Sequence, residues 1–233
     1  MGCLKVITLI KKRADLTQSD FSNHWRTVHR QLALRLIQAG YFHGYIQNHR
    51  MDIEMPGWES VADGAPELWI NHPEDLQRLQ ASDEYQQGAK PDEANFMTLP
   101  STSIVGREQV LIDAPVLCSL DQPIKVMLTV QRAATLAADD FANLWLQGDA
   151  PYLMPGAKPL RLTRIAALPG TSSDFDGTES SWWPSLEYFA QKWADRRPTG
   201  SGLTTGSAKG LLAREEWIVR PDQAVGINLT DRT

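Results

Sequence analysis

The first half of the chain is repeated in its second half, and this internal repeat restricts the fold more than any other feature of the sequence. When residues 5–25 are aligned without gaps with residues 125–145, eight positions are identical, whereas average composition predicts about one or two by chance. The identical positions are Lys5, Val6, Ala14, Leu16, Asp20, Phe21, Asn23 and Trp25. Two copies of a unit of about 110 residues therefore account for most of the 233-residue chain.

The similarity between the two copies continues downstream with gaps. The corresponding segments are Asp63-Gly64 before Trp69 with Asp176-Gly177 before Trp182, and Arg107-Glu108 with Arg214-Glu215. The repeat therefore reaches the end of each unit, so that both units are expected to share one fold.

Apolar patterns within the first unit predict four strands and two helices. Short runs rich in β-branched and aliphatic residues indicate strands, while a cap at Thr17 and apolar residues at helical spacing indicate a helix that ends at Gly40. A second helix begins near Pro73 and reaches about Gln87. The predicted strands are 4–11, 42–49, 67–70 and 102–112. The order is βαββαβ, which is the ferredoxin-like arrangement.

The second unit repeats this order with a longer polar segment near its end. Its first strand is predicted over residues 124–131, and a helix over Leu186–Ala194 follows Pro184. Residues 197–210 are rich in Pro, Gly, Ser and Thr, which predicts a surface loop.

A four-stranded sheet with helices on one face leaves its other face apolar and uncovered. Two joined units can bury these faces by packing sheet against sheet, which predicts an α+β fold with two ferredoxin-like repeats forming one eight-stranded barrel. We assign residues 1–112 to the first repeat, which carries the candidate site. Residues 113–123, with two prolines, form the linker, residues 124–221 the second, degenerate repeat, and residues 222–233 a C-terminal tail.

Composition and charge exclude several functional classes. The chain has 23 basic and 28 acidic residues, a net charge of −5, and no basic block, which argues against a nucleic-acid partner. No apolar run approaches the roughly 20 residues that cross a bilayer, and the first residues lack a signal-peptide core, so a cytoplasmic protein without membrane contact is expected. Cys3 and Cys118 form neither a disulfide framework nor a metal motif, and we predict no metal and no cofactor.

The first predicted helix carries His24 and His29 on the two borders of its apolar stripe. At about 100° per residue the two lie about 140° apart, so they cannot share a metal ion as an i, i+4 pair would. An imidazole at such a border can contact a cavity and still titrate near neutral pH. We therefore predict His29 as a general base and His24 as a second proton carrier. Alternatively, each only forms local hydrogen bonds at the core edge.

The second predicted strand places four polar side chains, His43, Tyr45, Gln47 and His49, on one face. This row either faces water or lines a pocket beneath the first helix. In a pocket, Tyr45 and His49 would approach His29, so that the phenol could hold an oxyanion and the second imidazole could act as an acid. His43 would then contact the substrate.

Further substrate contacts are predicted from the carboxylates and the tryptophans. Glu67 on the third strand could orient a histidine and fix its tautomer, although an exposed carboxylate is the alternative. The chain has eight tryptophans, which suit a planar or cyclic substrate where they do not simply fill the two cores. Trp69, close to Glu67, and Trp25, in the first helix, are the predicted aromatic contacts.

The second repeat is an internal control for these assignments. The paired positions are His24 with Leu144, His29 with Asp149, and Trp25 with Trp145. The strand over residues 162–167 has neither histidine nor tyrosine, and all five histidines lie in the first repeat. The second repeat thus keeps the aromatic framework residue Trp25 as Trp145, but it does not keep the histidines. This pattern predicts that the first repeat holds the site and that the second completes the barrel.

Four segments of the first repeat carry a family resemblance. They are Phe21-Ser22-Asn23-His24-Trp25-Arg26-Thr27-Val28-His29, Leu32-Ala33-Leu34, Tyr45-Ile46-Gln47-Asn48-His49 and Asp63-Gly64-Ala65-Pro66-Glu67-Leu68-Trp69. In this order they resemble the EthD family of dimeric α+β barrel proteins, over nearly all of the first repeat and more faintly over the second. The resemblance implies ferredoxin-like units that form barrels. It also implies relatives that include cofactor-independent enzymes such as a muconolactone-type methylisomerase, with polyketide cyclases and dehydratases in the wider superfamily.

The residues and the resemblance together predict a cofactor-independent enzyme of acid–base chemistry. The reaction would be an isomerisation, dehydration, lactone rearrangement or cyclisation of a small cyclic or polyketide-like substrate. Two alternatives stay open. One is a non-catalytic small-molecule-binding or accessory protein, and the other is a haem or monooxygenase-type barrel with His29 or His49 as axial ligand. The fused pair could still form a homodimer through a free strand edge or helix face.

Overall fold

A computed structural model of the chain describes residues 3–113, 123–148, 156–171, 173–195 and 204–221. Some sequence predictions fall outside these residues. They concern Cys118 and nearly all of the linker, Asp149, residues 197–203 of the predicted loop, and the tail over residues 222–233.

The described strands form one sheet that is antiparallel except for one short parallel pair. The strands are β1 (Leu4–Lys12), β2 (Gly44–Arg50), β3 (Glu59–Ser60), β4 (Gly64–Ile70), β5 (Met97–Gly106), β6 (Glu108–Asp113), β7 (Ile124–Arg132), β8 (Arg161–Ala166), β9 (Gly177–Trp183) and β10 (Thr204–Val219). The first repeat has the order β5-β1-β4-β2 and the second the order β10-β7-β9-β8. The two orders are equivalent, which confirms the predicted ferredoxin-like repeats.

The helices cover one face of each half of the sheet. They are α1 (Gln18–His24), α2 (Arg30–Gln38), α3 (Glu74–Ala81), α4 (Lys90–Phe96), α5 (Ala138–Gln147) and α6 (Leu186–Ala194), with π-helical turns at Trp25–His29 and Tyr85–Ala89. The predicted start of the first helix is confirmed by a capping box. The Thr17 hydroxyl accepts a hydrogen bond from the Asp20 amide, and the Asp20 carboxylate accepts one from the Thr17 amide.

The last strand of each repeat pairs with both repeats, and this pairing closes the barrel. β10 pairs with β7 as far as Ala213 and with β2 from Ala213 onwards. In the first repeat β5 pairs with β1, the chain bends at Arg107, and β6 pairs with β8. The two sheets are therefore joined edge to edge around a common interior, which is how the predicted single-chain barrel forms.

The two faces of the sheet bury different sets of side chains. Apolar residues of both repeats meet inside the barrel, including Ile7, Ile104, Met127 and Leu211. On the outer face of the first repeat, Leu4, Val6, Ala33, Leu36 and Ile70 pack between sheet and helices. Because successive strand residues point to opposite faces, each strand contributes to both cores.

Three predicted elements differ from the structure. The fourth strand begins at Met97 rather than Thr102, and Arg107 interrupts it at the bend. The helix predicted to end near Gln87 continues, after breaks, to Phe96. The predicted loop over residues 197–210 is wrong from Thr204 onwards, because the backbone of Thr204 and Thr205 pairs with β7 in spite of its loop-like composition.

Among the residues that the structure describes, no helix is long and apolar enough to cross a membrane. The same residues contain no group of three or more His, Cys, Asp or Glu side chains arranged to hold a metal ion.

Candidate active site

A cavity of about 360 Å³ lies between the helices and the sheet of the first repeat. Its volume falls in the usual range of small-molecule sites, about 300–1,000 Å³. Most of its walls are apolar, with Ala33, Leu36 and Phe96 among the lining residues. His29 and Tyr45 line the same cavity. The predicted pocket beneath the first helix is therefore present, and it brings these two side chains together.

Trp25 is one wall of this cavity, and a glycine on the sheet allows it to pack there. A Cβ atom on Gly64 would lie 2.5 Å from the Trp25 ring, closer than any side chain tolerates. In the second repeat, a Cβ on Gly177 would lie 2.9 Å from the Trp145 ring. The repeated Asp-Gly pair thus has the same structural role in both copies.

His29 is held by a carboxylate that the sequence analysis did not identify. Its Nδ1 lies 3.0 Å from Oδ2 of Asp92 in α4. Burial acts to raise the pKa of Asp92, but hydrogen bonds from His29, Asn95 and His24 outweigh this effect and hold the pKa at about 2. The ionised carboxylate can only accept, so Nδ1 of His29 must donate. The lone pair of a neutral His29 is consequently on Nε2, where it can act as a base.

His24 shares the same carboxylate but does not line the cavity. Its Nε2 lies 2.8 Å from Oδ1 of Asp92, and its ring stacks on Phe96. The two histidines therefore border the apolar stripe as predicted, yet they differ in access to the cavity. His24 helps to hold Asp92 in place.

Tyr45 accepts two hydrogen bonds on its phenol oxygen. Trp25 Nε1 donates at 2.8 Å and Gln47 Nε2 donates at 3.1 Å. Gln47 Nε2 also donates to the Trp25 carbonyl at 3.0 Å, which fixes the orientation of the amide. Burial raises the pKa of Tyr45 to about 12, so the phenol stays neutral. Within the described ranges its hydrogen has no recorded acceptor, and it is available to a ligand oxygen.

His49 does not line the cavity, although it is connected to Tyr45. Its Nε2 donates to Oε1 of Gln47 at 3.1 Å, while its buried Nδ1 has no hydrogen-bond partner within the described part of the chain. Burial, aided by Arg26 and partly opposed by Glu216, lowers the pKa of His49 to about 4. His49 is neutral at pH 7 and contacts the cavity wall indirectly, through Gln47 and through the Trp25 ring, whose centre lies 4.6 Å from its own.

The depressed pKa of His49 predicts a pH-dependent stability. The unfolded state binds a proton near pH 6.5 and the folded state only near pH 4. The contribution is therefore complete above pH 6.5 and is lost as the pH falls towards 4, by up to about 3 kcal/mol. His49→Gln should flatten this dependence in urea unfolding at pH 7, 5.5 and 4. The exposed His72→Gln variant should keep it, and parallel losses in all three proteins would contradict the assignment.

A second pair of polar side chains lines the cavity from the helix side. The Tyr85 hydroxyl donates to Oε1 of Glu93 at 3.0 Å, and both residues line the cavity. Burial raises the pKa of Glu93, and burial together with Glu93 raises the pKa of Tyr85. Pro91 followed by two acidic residues is typical of a helix start. This signal could have revealed α4 but not its contact with His29.

Glu67 and Trp69 lie on the other face of the sheet, inside the barrel. Glu67 forms ion pairs with Lys5 and Lys125 and accepts from Asn48. It is therefore not placed to orient a histidine, and the expectation of that role was wrong. The alternation in β4 explains the error, because Leu68 packs on the helix side and its neighbours must face inwards.

His43 also lies outside the cavity. It precedes β2, and its amide donates to the carbonyl of Trp69. Burial lowers the pKa of its imidazole. Of the eight predicted site residues, His29, Tyr45 and Trp25 line the cavity.

In the second repeat, an ion pair fills the position that corresponds to Gln47. Arg164 donates to Oε2 of Glu179 at 2.7 Å and to the Trp145 carbonyl at 3.0 Å. The guanidinium also lies 4.2 Å from the centre of the Trp145 ring. Leu162, at the position of Tyr45, has no hydroxyl. At the described position equivalent to Tyr45, the second repeat therefore carries no phenol.

The fold and the cavity define a single-chain α+β barrel built from two ferredoxin-like repeats, with a helix-side cavity in the first. Residues 13–100 match the EthD domain family. The first repeat is thus similar to EthD domains over this segment, which confirms the predicted family resemblance there. No curated protein sequence matches the chain.

Solved structures share the fold at low sequence identity. An anthrone oxidase-like protein is 11% identical with a TM-score of 0.57, covering 95% of each chain. A candidate chlorite dismutase is 11% identical with a TM-score of 0.52, covering 97% of this chain and 99% of its own. An EthD family protein from Bacillus halodurans is 20% identical with a TM-score of 0.36, covering 46% of this chain and 98% of its own.

Proposed function

We propose that the cavity of the first repeat binds a small planar ketone and removes a proton from a carbon that is acidified by conjugation with its carbonyl group. The observation that carries this proposal is that His29 and Tyr45 line one largely apolar cavity. One supplies a base whose tautomer Asp92 fixes, and the other supplies a neutral donor. Proton abstraction from such a carbon needs both groups, because negative charge develops on the carbonyl oxygen as the proton leaves.

The proposed step is balanced without a cofactor. Nε2 of His29 removes the proton, and the C–H electron pair moves into the ring system to give an enolate. The Tyr45 hydroxyl donates to the developing oxyanion and stays protonated. The imidazolium formed on His29 is stabilised by Asp92, and it returns its proton to the same or another atom. Exchange, isomerisation and the first step of a dehydration or cyclisation all begin in this way.

Deuterium exchange tests this step before the natural substrate is known. Anthrone is the first probe, because it is a planar cyclic ketone with a mobile methylene proton. In addition, one of the structural neighbours is an anthrone oxidase-like protein. The protein is incubated with anthrone in D₂O under nitrogen, and deuterium in the methylene group is followed by mass spectrometry. The proposal predicts a rate above that of buffer. A panel of planar cyclic ketones without any enhancement would contradict it.

Tyr45→Phe should slow this exchange by about 10²–10³-fold, because the donor to the oxyanion is lost. The variant should also lose about 1–3 kcal/mol of unfolding free energy, since Trp25 Nε1 loses its buried acceptor. The matched control is Tyr41→Phe, whose hydroxyl contacts Glu84 at the surface. Exchange at the native rate in Tyr45→Phe would exclude the proposed donor.

The haem alternative makes a different use of the same histidine. Asp92 on Nδ1 of His29 would leave Nε2 for iron, so the donor itself is suitable. The cavity of about 360 Å³, however, lies at the lower end of the usual range for ligand sites. A macrocycle needs more room, and we therefore favour a smaller ring system. Soret absorption after haem addition that disappears in His29→Asn would favour the haem alternative.

Three other parts of the functional prediction stay predictions. They are the cytoplasmic location, the homodimer and the carrier alternative. Light scattering of the full chain measures the oligomeric state. Saturable ketone binding without deuterium exchange would favour a carrier.

A further inference from the structure

Three pairs of residues that both repeats kept meet at one end of the barrel, away from the helix-side cavity. The pairs are Lys5 with Lys125, Trp69 with Trp182, and Glu108 with Glu215. Lys5 Nζ lies 4.6 Å from the centre of the Trp69 ring, and Lys125 Nζ lies 4.5 Å from that of Trp182. The two copies thus build the same arrangement from both sides of the barrel.

Three buried charges, Lys5, Lys125 and Glu67, form a chain of ion pairs across this end together with the partly buried Glu108 and Glu215. Lys5 pairs with Glu108 at 2.7 Å, and Lys125 pairs with Glu215 at 2.6 Å. Glu67 lies between the two lysines and pairs with both. Burial acts to raise the pKa of Glu67, but Lys125 and Lys5 outweigh it and lower the pKa. These ion pairs lie between the apolar barrel core and a second cavity at this end of the barrel.

The second cavity has a volume of about 720 Å³, and Lys5, Glu108 and Glu215 of the ion-pair chain line it. Three tryptophans line it, of which Trp69 and Trp217 stack on each other with ring centres 5.4 Å apart. Such walls suit an aromatic ring system. Its residues come from β1, β2, β4, β6, β8, β9 and β10, so both repeats contribute.

The charge of this cavity is opposite in sign to that of the whole chain. Five cationic and three acidic side chains line it, whereas the chain carries a net charge of −5. All three acids are engaged by other residues. Glu108 pairs with Lys5, Glu215 pairs with Lys125 and accepts from Trp182 and Trp217, and Glu216 pairs with Arg26.

Two arginines in the lining keep donors available. Arg161 lies 5.3 Å from the centre of the Trp182 ring, and its buried Nε has no hydrogen-bond partner among the residues that the structure describes. Its Nη1 lies 3.8 Å from Oδ1 of the exposed Asp113. Arg220 lies 4.6 Å from the centre of the Trp217 ring and forms no ion pair with a described residue. A planar guanidinium held against an aromatic ring is well placed to bind a carboxylate.

We propose that this end of the barrel is a second ligand site, which binds a planar aromatic carboxylate between the tryptophans and Arg161 and Arg220. This site is separate from the proposed function, since it lies on the other face of the sheet and shares neither His29 nor Tyr45. Its ligand is an anion, whereas the helix-side cavity is proposed to bind a neutral ketone.

Calorimetric titration of the full chain with naphthoate tests the second site, with the neutral naphthylmethanol as matched probe. We expect saturable naphthoate binding that is about tenfold tighter than that of the alcohol. Arg161→Met should weaken naphthoate binding about tenfold, and Arg220→Met, which is more exposed, about fivefold. The control is Arg13→Met, whose guanidinium pairs with Asp15 on the surface. It should bind naphthoate as the native chain does.

His29→Asn separates the two sites, because it should leave naphthoate binding unchanged whether or not ketone exchange occurs. Three results would overturn the second site. They are the absence of saturable naphthoate binding, equal affinity for the acid and the alcohol, and native affinity in both arginine variants of a protein that melts as the native chain does. Loss of naphthoate binding in His29→Asn would place the anion in the helix-side cavity instead.

Discussion

Replacing His29 with Asn should lower the rate of ketone deuterium exchange by about 10²–10⁴-fold, the contribution of a positioned general base. The amide can still donate to Asp92, but it cannot take up a proton from carbon. Folding should therefore be affected little, and the melting temperature should stay close to that of the native chain. The measurement is the exchange rate per protein molecule at pH 7.5, with the buffer rate subtracted.

His24→Asn is the matched control for this substitution. Both histidines lie against Asp92, one on each carboxylate oxygen, but only His29 lines the cavity. His24→Asn should reduce exchange by less than about fivefold, because His24 does not line the cavity and contacts the carboxylate oxygen that His29 does not use. Equal losses in the two variants would mean that Asp92, and not His29, is the group that matters.

Replacing Lys125 with Met should destabilise the protein by about 3–5 kcal/mol, the usual cost of removing one partner from a buried ion pair. Lys125 and Glu67 are both fully buried and pair with each other. Without Lys125, Glu67 keeps only Lys5, and Glu215 loses the cation that it contacts at 2.6 Å. Denaturant unfolding at pH 7 measures the change.

Lys209→Met is the control for the buried lysine. Lys209 pairs with Glu59 at the surface, where both side chains are about half exposed, and its removal should cost less than about 1 kcal/mol. If Lys125→Met were as mild as this control, the charged chain across the barrel would not hold the two repeats together. A second variant, Glu67→Gln in the Lys125→Met background, should recover part of the loss, because it removes the uncompensated charge.

Local patterns in the sequence were sufficient to predict the repeat and its secondary structure. A ferredoxin-like unit follows from strand and helix periodicity, and its duplication is visible at identical positions such as Lys5 and Trp25. Closure of the barrel was harder to predict. Closure depends on the continuation of β5, across the break at Arg107, into β6, which pairs with β8 of the other repeat. The residues of a strand do not themselves specify which distant strand it pairs with.

The site was predicted where one element determines which way a side chain points. Helical spacing placed His29 beside the apolar stripe, and strand alternation placed Tyr45 on the helix side. Asp92 was missed because it follows His29 by 63 residues and lies in another helix. The spacing within one helix cannot reveal such a contact. Glu67 was misassigned although the sequence contained the information to place it. Apolar Leu68 and Ile70 alternate with Glu67 and Trp69 along the strand. Because successive strand residues point to opposite faces, packing of Leu68 and Ile70 under the helices leaves Glu67 and Trp69 facing the barrel interior.

The two repeats differ in what fills the space between sheet and helices. In the first, Gln47 connects Tyr45 with His49 and leaves the phenol hydrogen free for a ligand. In the second, Arg164 occupies the equivalent position and pairs with Glu179. Duplication thus supplied two frameworks, and in the first of them His29 and Tyr45 line a cavity. Both copies kept Lys5 and Lys125, Trp69 and Trp182, and Glu108 and Glu215 at one end of the barrel.

The location of a bound ketone tests the central claim most directly. Xanthone is suitable because it is a planar ketone without an exchangeable methylene proton, so that it can bind but not react. A crystal structure of the complex should show its rings in the helix-side cavity of the first repeat, with the carbonyl oxygen at hydrogen-bond distance, roughly 3 Å, from the Tyr45 hydroxyl. Xanthone bound only in the second repeat or in the barrel interior, or with its carbonyl turned away from Tyr45 and His29, would contradict the account.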